Sequence, residues 1–257
     1  MLELKNICTS FNKGTVDEMK LFDNFNFTVN KGDFISVIGS NGSGKTTLLN
    51  LMCGTLKPDS GSVIFNNKDI TNLSEHKRAK FIGRVFQDPK MGTCSTLTVL
   101  ENFALADNKN KTYSLTKAIS KKRIDYYREL LSRCDMGLED RMNTPVGLLS
   151  GGQRQAIALV ISGMTDVDLL ILDEHTAALD PKSSETIMKI TDSLVKENNM
   201  TAVMVTHNLR FAVEYGSRMV MMHKGSAILD KADKEKDALS VADLLDTFNN
   251  ISIESGN

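Results

Sequence analysis

The 257-residue sequence lacks several features that would assign it to a class at once. No apolar run approaches the roughly 18 residues that a membrane-spanning helix needs, and the first residues do not resemble a signal peptide. With 31 basic and 32 acidic side chains, the net charge of -1 gives no overall field that would attract nucleic acid or anionic lipid. These absences predict a cytosolic protein that reaches a membrane only through its partners.

The sequence also lacks a cysteine motif and a low-complexity linker. The four cysteines show no spacing typical of a metal site, so we expect free thiols and no zinc. No internal repeat or low-complexity linker divides the chain. Its length therefore fits one large α/β domain or two small ones.

Residues 39 to 47, Gly-Ser-Asn-Gly-Ser-Gly-Lys-Thr-Thr, match a glycine-rich phosphate-binding loop. An apolar strand pattern precedes the loop and a helix pattern follows it, which is the context that such a loop requires. Lys45 supplies a mobile charge for the outer phosphates, and the Thr46 hydroxyl sits where this class of loop ligates Mg²⁺. The sequence thus predicts a nucleoside triphosphate site formed by Gly39, Ser40, Asn41, Gly42, Ser43, Gly44, Lys45, Thr46 and Thr47, the last of which is better suited to packing or capping.

Two carboxylates follow a predicted buried strand at residues 169–172. Ligands of an open parallel sheet lie beyond the carboxyl ends of its strands. Asp173 can therefore hold Mg²⁺, and Glu174 can orient or deprotonate a water molecule.

Two other polar side chains follow predicted strands. Gln87 ends the strand at 82–86 and enters a loop, and His207 follows the strand at 201–205. A histidine in such a place is often structural. We favour a site role for His207 because we expect it to share the strand-end edge with Lys45 and Glu174.

Residues 149 to 154, Leu-Ser-Gly-Gly-Gln-Arg, open an amphipathic helix for which Ser150 is a suitable N-cap. The consecutive Gly151 and Gly152 suggest close approach of the backbone to a ligand such as a phosphate. A flexible hinge would also explain the glycines, but not their neighbours.

Two features leave alternatives open. Phe11 lies between predicted strands at 2–8 and 25–29 in a polar, turn-like segment, and its ring either stacks on a base or covers a sheet edge. A basic cluster falls in a segment of helical spacing from 98 to 134 and is either a nucleic-acid patch or, as we favour, a solvated helix face. Its members are Lys117, Lys121, Lys122 and Arg123.

With these motifs in this order, the sequence resembles ATP-binding cassette (ABC) ATPases over roughly residues 2 to 230. The pentapeptide at 149–153 is that family's own signature and separates the chain from nucleoside kinases and recombinases. The resemblance implies an α/β fold with a P-loop NTPase, RecA-like core, an antiparallel β layer and an inserted α-helical subdomain. We expect a single domain over 1–257, with core and β layer at about 1–90 and 166–230, the helical subdomain at 91–165, and a short polar tail at 231–257 with one weak helix.

The resemblance also implies residue roles, with ATP and Mg²⁺ as cofactors. Thr46 and Gln87 would contact Mg²⁺, Asp173 would support it, and Glu174 would polarise the attacking water. His207 would contact the γ-phosphate, and Phe11 would stack on adenine. Two cassettes would face each other head to tail, so that the signature of one covers the γ-phosphate in the other. The residues concerned are Ser150, Gly151, Gly152 and Gln153, with Asp180 in a loop that communicates across the homodimer.

Two positions depart from the family: Phe11 is a weaker match than the usual tyrosine, and the clearer departure is His175. His175 stands where most members place proline directly after the glutamate, so the usual loop geometry does not carry over directly.

The sequence segments at 38–42, 83–89 and 173–181 resemble those of cassettes from bacterial uptake systems labelled as tryptophan or tyrosine transporters. The leading hypothesis is therefore the ATPase of an importer at the cytoplasmic face of the membrane. Its partners would be a permease docking around 87–103, an extracytoplasmic solute-binding protein and a second cassette, with no nucleic acid. A soluble cassette acting on nucleic acid or ribosomes is the main alternative, although such proteins usually carry long coiled coils or two cassettes. A small-molecule phosphotransferase is a third alternative, but in such an enzyme the signature pentapeptide would have no function.

Overall fold

The computed structural model describes residues 1–109, 119–165 and 167–254. The chain divides into two compact units, Met1–Asn72 with Val203–Asn257, and Leu73–Ala202. The predicted helical subdomain at 91–165 falls within the second unit. Its bounds, and the organisation as one domain, remain predictions.

The first unit contains a four-stranded antiparallel sheet. Its strands are β1 (Leu2–Phe11), β2 (Met19–Val29), β4 (Ser60–Phe65) and β5 (Lys68–Asp69), in the order β2-β1-β4-β5. Leu2 pairs with Val29 on one side and with Phe65 on the other, and all three are buried. β1 therefore forms the centre of this layer.

A second sheet of the first unit supports the phosphate loop. It contains β3 (Phe34–Gly39), β8 (Thr201–Val205), β9 (Arg218–His223) and β10 (Ser226–Ala232), in the order β10-β9-β3-β8, and the division of the chain falls within β8. β3 runs parallel to β9, whereas β10 is antiparallel to β9. All six residues of β3 are buried, as expected of a parallel strand covered on both faces.

The helices of the first unit are α1 (Lys45–Cys53), α7 (Leu209–Glu214), α8 (Asp233–Asp237) and α9 (Val241–Glu254). The sequence predicts a polar tail with one weak helix at 241–248, and this prediction is wrong in two respects. α9 is longer, and its Leu244 is fully buried in a cluster with Ile38, Ala212, Met219 and Met221. The C-terminal segment is thus part of the core.

The second unit combines two parallel strands with helices. Its elements are α2 (Glu75–Arg78), β6 (Ile82–Val85), α3 (Val99–Asp107), α4 (Lys121–Ser132), α5 (Gly151–Met164), β7 (Leu169–Asp173) and α6 (Pro181–Glu197), with 3₁₀ turns at Pro89–Met91 and Val146–Leu148. The Thr98 hydroxyl and the Glu101 carboxylate form a capping box that starts α3. Helical spacing between 98 and 134 is confirmed in the described part of that segment.

The basic cluster lies mainly on α4. Lys121 and Lys122 are exposed, and the Arg123 guanidinium forms a bidentate pair with Asp107 on α3, with N–O distances of 2.9 and 2.8 Å. Lys117 lies outside the described residues. The described members fit a solvated helix face, in which Arg123 links two helices.

Candidate active site

The phosphate loop connects β3 to α1 through backbone that requires glycine. Gly39 and Gly44 have φ angles of 153° and 106°, which side-chain-bearing residues rarely adopt. A Cβ on Gly39 would lie 2.3 Å from the Met222 carbonyl oxygen, and a Cβ on Gly44 would lie 3.0 Å from the Phe22 ring. The predicted strand-loop-helix context is therefore present. Both the backbone conformation and the close packing require glycine at these two positions.

Lys45 begins α1, and its side chain folds back onto the loop. Its Nζ donates hydrogen bonds to the carbonyl oxygens of Gly39, at 2.8 Å, and Ser40, at 2.9 Å. The residue is only 5% exposed. The ammonium group is thus held against the loop backbone rather than in solvent.

The rest of the loop consists of an exposed rim and a buried support. The exposed residues are Ser40, Asn41, Gly42 and Thr46, and Thr47 is half-buried. The Ser43 carbonyl accepts from the Gly225 N–H at 3.0 Å, whereas its buried hydroxyl has no hydrogen-bond partner in the described structure. An exposed Thr46 hydroxyl is a hard oxygen ligand, and the amides at the start of α1 suit an anion. The residues present therefore fit a magnesium nucleotide.

His207 follows the carboxyl end of β8. The N–H of Thr206 donates to the Val37 carbonyl oxygen at 3.2 Å, which ties this strand end to β3, the strand that leads into the phosphate loop. Asn208 caps α7, and its N–H donates to Thr206 Oγ1 at 3.0 Å. The exposed His207 therefore lies in a turn fixed at both sides, one strand away from the strand that carries the phosphate loop.

Phe11 does not lie in a turn-like segment, as the sequence suggested. It is the last residue of β1 and pairs with Met19 at the start of β2. The strand continues past residue 8 because Ser10 and Phe11 find partners on β2, which begins at 19 rather than near 25. The ring is half-buried at the end of a hairpin, and both interpretations of its role remain open.

In the second unit, Asp173 is the last residue of β7 and is paired with an arginine. Arg84, on the neighbouring β6, places Nη2 2.6 Å from Asp173 Oδ2, and the two side chains are only 13% and 16% exposed. The Arg84 guanidinium also lies 4.8 Å from the centre of the Phe86 ring. The carboxylate predicted to support Mg²⁺ is thus oriented by a largely buried cation.

Gln87 follows β6 by two residues and is exposed. The backbone just before it is anchored, because Gln155 Nε2 on α5 donates to the Phe86 carbonyl oxygen at 3.0 Å. Gln155 is fully buried. The helix that follows the signature therefore holds the strand end from which Gln87 extends.

Glu174 has an unusual backbone. Its φ of 46° lies in the left-handed region, which costs a residue other than glycine about 1–3 kcal/mol. Its carbonyl oxygen accepts from the Ala177 N–H at 2.9 Å, so the chain turns directly after the strand. Backbone strain of this kind concentrates at functional sites, which is consistent with the role predicted for this carboxylate.

The signature begins α5 through reciprocal hydrogen bonds. The Gln153 N–H donates to Ser150 Oγ, and the Ser150 N–H donates to Gln153 Oε1, both at 3.2 Å. Gln153 Nε2 also donates to the Met136 carbonyl oxygen at 3.3 Å. The predicted N-cap is therefore confirmed, and the Gln153 side chain has a structural task of its own.

The glycines of the signature and Asp180 meet near the start of α6. A Cβ on Gly152 would lie 3.1 Å from the Ser183 side chain, whereas one on Gly151 would meet nothing nearer than Leu179 at 3.6 Å. Asp180 caps α6 by accepting from the Ser183 N–H at 3.1 Å. Hydrogen bonds from Ser183 lower the pKa of this carboxyl. Helix packing therefore explains Gly152, whereas the approach of a ligand to Gly151 stays a prediction.

Three residues that contact the predicted site residues or their neighbours were not predicted from the sequence. Arg84 is the one charged residue within β6, which is a signal that could have been noticed. Gln155 bonds the Phe86 carbonyl oxygen and Thr191 bonds the ring of His175, so both contacts join residues that are distant in sequence, and nothing in the sequence pattern marks them. The predicted residues fall in both units, with Phe11, the phosphate loop and His207 in the first and the remainder in the second.

Comparison with known proteins identifies the class. The profile of the family described as ABC transporter matches residues 22–177. The tyrosine transport ATP-binding protein of Clostridioides difficile is 44% identical over 248 residues, which cover 96% of this chain and 98% of the relative. The phosphonates import ATP-binding protein PhnC of Alcaligenes faecalis is 32% identical over 235 residues, covering 90% and 82% of the two chains.

Solved structures agree with this assignment. An ABC transporter cassette in its ADP conformation matches with a TM-score of 0.79 at 28% identity, over 100% of this chain and 99% of that one. A dimeric cassette bound to ADP and phosphate after hydrolysis matches with a TM-score of 0.76 at 29% identity, over 90% and 98%. The predicted P-loop NTPase fold, with its antiparallel layer and helical insertion, is confirmed.

The chain belongs to the ABC transporter family. It is an ATP-binding cassette, an ATPase whose hydrolysis of ATP is coupled to transport. The alternative of a soluble cassette acting on nucleic acid is not supported, because the relatives are transport proteins. Within the described ranges, no helix is both long and apolar enough to cross a membrane.

Proposed function

We propose that the chain hydrolyses MgATP to drive the uptake of a small solute, and that the solute is an aromatic amino acid of the tyrosine type. The observation that supports hydrolysis is the phosphate loop, in which Lys45 is held against the backbone ahead of α1. The observation that supports the solute class is the 44% identity, over almost the whole chain, to a tyrosine transport ATP-binding protein.

The nucleotide would be bound through the phosphate loop. The backbone N–H groups of 39–47 would surround the phosphates, and Lys45 would balance their charge. Phe11 would stack on the adenine. His207, held in a fixed turn on the neighbouring strand, would contact the γ-phosphate.

Hydrolysis would depend on a general base and on bound Mg²⁺. Glu174, whose backbone leaves the extended conformation directly after the strand, would accept a proton from the attacking water. Thr46, Gln87 and Asp173 would hold Mg²⁺, and the bound ion would neutralise charge that develops on the phosphates.

The active form would be a homodimer in which the signature of one cassette completes the site of the other. A dimeric cassette with ADP and phosphate among the similar structures supports this arrangement. The exposed Ser150, at a helix start, would donate to the γ-phosphate of the partner, with the amides of Gly151 and Gly152 beside it. Asp180 would lie in the loop that links the two sites.

The transporter would also contain a membrane permease and an extracytoplasmic solute-binding protein, with the cassette at the cytoplasmic face. The segment at 87–103, within the helical subdomain proposed for 91–165, would contact the permease. Met91 is 68% exposed and Leu105, just beyond this segment, is 63% exposed, so apolar surface is available there. The core and β layer would occupy 1–90 and 166–230.

Nucleotide binding is tested with Lys45→Ala. We expect calorimetry to show tight MgATP binding by the parent chain and a loss of at least tenfold in affinity for the variant, because the ammonium group supplies the charge for the outer phosphates. Circular dichroism controls for folding. Equal affinity in a folded variant would contradict the assignment of the phosphate loop.

The catalytic role of Glu174 is tested with Glu174→Gln. We expect ATP binding to remain and hydrolysis to fall by about 10² to 10⁴, the usual contribution of a positioned base. Size-exclusion chromatography should then show a dimer in MgATP and a monomer without it. A monomer at proven ATP occupancy would contradict the shared-site arrangement.

A further inference from the structure

His175 is buried directly after Glu174 and is bonded to a distant helix. It is 2% exposed, and its Nε2 lies 3.0 Å from the hydroxyl of Thr191, which is itself fully buried on α6. This contact spans sixteen residues, and within the described part of the chain it is the only hydrogen bond of the His175 side chain. It joins the segment after β7 to the middle of α6.

The direction of this hydrogen bond follows from its neighbours. Thr191 has a single hydroxyl hydrogen, and Oγ1 lies 2.8 Å from the Ile187 carbonyl oxygen, which can only accept. The hydroxyl therefore donates to Ile187 and accepts from His175, so the proton of the imidazole is on Nε2. Burial lowers the pKa of His175 to about 4, which agrees with a neutral ring.

A second contact fixes the same segment. Ser184, one turn into α6, donates from Oγ to the Thr176 carbonyl oxygen at 3.1 Å. Two successive residues after Glu174 are thus anchored to α6. On the other side of Glu174, Asp173 is held by β7 and by Arg84. Glu174 therefore lies between two anchored residues, Asp173 and His175, and the chain turns between them through its φ of 46°.

The identity of residue 175 bears directly on this turn. A proline restricts the preceding residue to the extended region, so proline at 175, the usual residue of the family, would oppose the left-handed conformation of Glu174. Histidine imposes no such restriction and adds a hydrogen bond to α6. Histidine in place of proline at 175 therefore allows the left-handed conformation of Glu174.

We propose that His175 is a positioning residue, which holds Glu174 in its left-handed conformation through the buried hydrogen bond to Thr191 and so places the carboxylate for hydrolysis. The proposal rests on the function proposed above for Glu174. His175 itself touches neither nucleotide nor water in this account and acts only through the backbone of its neighbour.

The test compares matched variants of the full chain by steady-state ATP hydrolysis. Thr191→Val removes the acceptor and His175→Leu removes the donor, and we expect each to lower kcat about tenfold, equal to about 1.4 kcal/mol, with KM for ATP changed less than twofold. Thr191→Ser keeps the hydroxyl and His175→Gln keeps a donor at similar reach, so both should retain at least half of kcat. Thr186→Val makes the same chemical change at a half-buried position of α6, where the hydroxyl donates to the Lys182 carbonyl oxygen of its own helix, and should leave kcat unchanged.

The same variants in a Glu174→Gln background separate positioning from general damage. If His175 acts through Glu174, Thr191→Val should change the residual rate less than twofold there. An equal loss of rate in both backgrounds would overturn the proposal, as would full kcat in Thr191→Val. Normal hydrolysis by Glu174→Gln alone would instead remove the proposed function of Glu174, and the positioning role with it.

A measurement that does not depend on activity completes the test. The Cα and Cβ chemical shifts of residue 174 report its backbone conformation in the ADP-bound chain. We expect left-handed shifts in the parent and in His175→Gln, and extended or averaged shifts in His175→Leu. Left-handed shifts that persist in a folded His175→Leu would overturn the proposal.

Discussion

The ion pair between Arg84 and Asp173 should stabilise the end of β7, and this can be measured. The perturbation is Arg84→Met, which keeps an unbranched apolar stem and removes the guanidinium charge. Asp173→Asn is the matching change on the other side, and the double variant closes the cycle. Because an added metal ion would compensate for the lost cation, unfolding is measured in EDTA without nucleotide.

The magnitude follows from burial. Breaking one side of a buried ion pair costs about 3–5 kcal/mol, whereas exposed pairs contribute about 0–1 kcal/mol. The two side chains are 13% and 16% exposed and 2.6 Å apart, so the pair is closer to the buried case. We expect Arg84→Met to lower the free energy of unfolding by about 2–3 kcal/mol. The coupling between the two positions should be about 2 kcal/mol.

Urea unfolding followed by circular dichroism is a suitable assay, because the chain has no tryptophan. Arg133→Met is the control, since Arg133 pairs with Glu129 and Glu197 while 56% exposed, and should cost less than about 1 kcal/mol. A coupling energy below about 0.5 kcal/mol between Arg84 and Asp173 would refute the reasoning, and would mean that the strand end is held by backbone pairing alone.

Three further outcomes follow from single sites. Ser150→Ala removes the acceptor of the Gln153 N–H and should lower stability by about 1 kcal/mol, whereas Ser150→Gly should cost only a few tenths; denaturation of both variants checks this. All four cysteines are free thiols, and burial raises the pKa of Cys134 to about 11, whereas Cys94 is exposed and a hydrogen bond with Thr96 lowers its pKa. A maleimide at pH 8 should therefore modify Cys94 well before Cys134 in peptide mapping, and equal rates would contradict this order. Burial lowers the pKa of His175 from 6.5 to about 4, so the folded state holds the ring neutral. As the pH falls from 6.5 towards 4, the free energy of unfolding should therefore decrease by about 3 kcal/mol. His175→Gln should show a correspondingly smaller decrease in metal-free buffer, and equal decreases in the two chains would count against this assignment.

Local chemistry made the nucleotide loop and the helix starts predictable. The glycines, Lys45 and the cap residue Ser150 follow short-range rules, in which a few neighbouring residues determine the backbone. The strand that ends in Asp173 was predictable for the same reason, because a short apolar run followed by carboxylates has few alternative structures.

Long-range pairing explains what the sequence could not predict. Phe11 extends β1 because Met19 is its partner across a hairpin, and no pattern within residues 8–12 shows this. Leu244 is buried because β3 and β9 present Ile38 and Met221 to it. His175, which follows the left-handed Glu174, bonds the hydroxyl of Thr191, sixteen residues further along the chain. In each case the decisive contact comes from an element that is distant in sequence.

The most direct test of the proposed function is ATP hydrolysis by the complex reconstituted in liposomes with its permease and solute-binding protein. We predict that binding protein loaded with tyrosine or tryptophan increases the ATPase rate, and that Glu174→Gln lowers both the basal and the stimulated rate of the complex by about 10² to 10⁴. Stimulation only by an unrelated solute would retain import and reject the aromatic amino acid. An active complex that responds to no solute would contradict uptake as the function that this cassette drives.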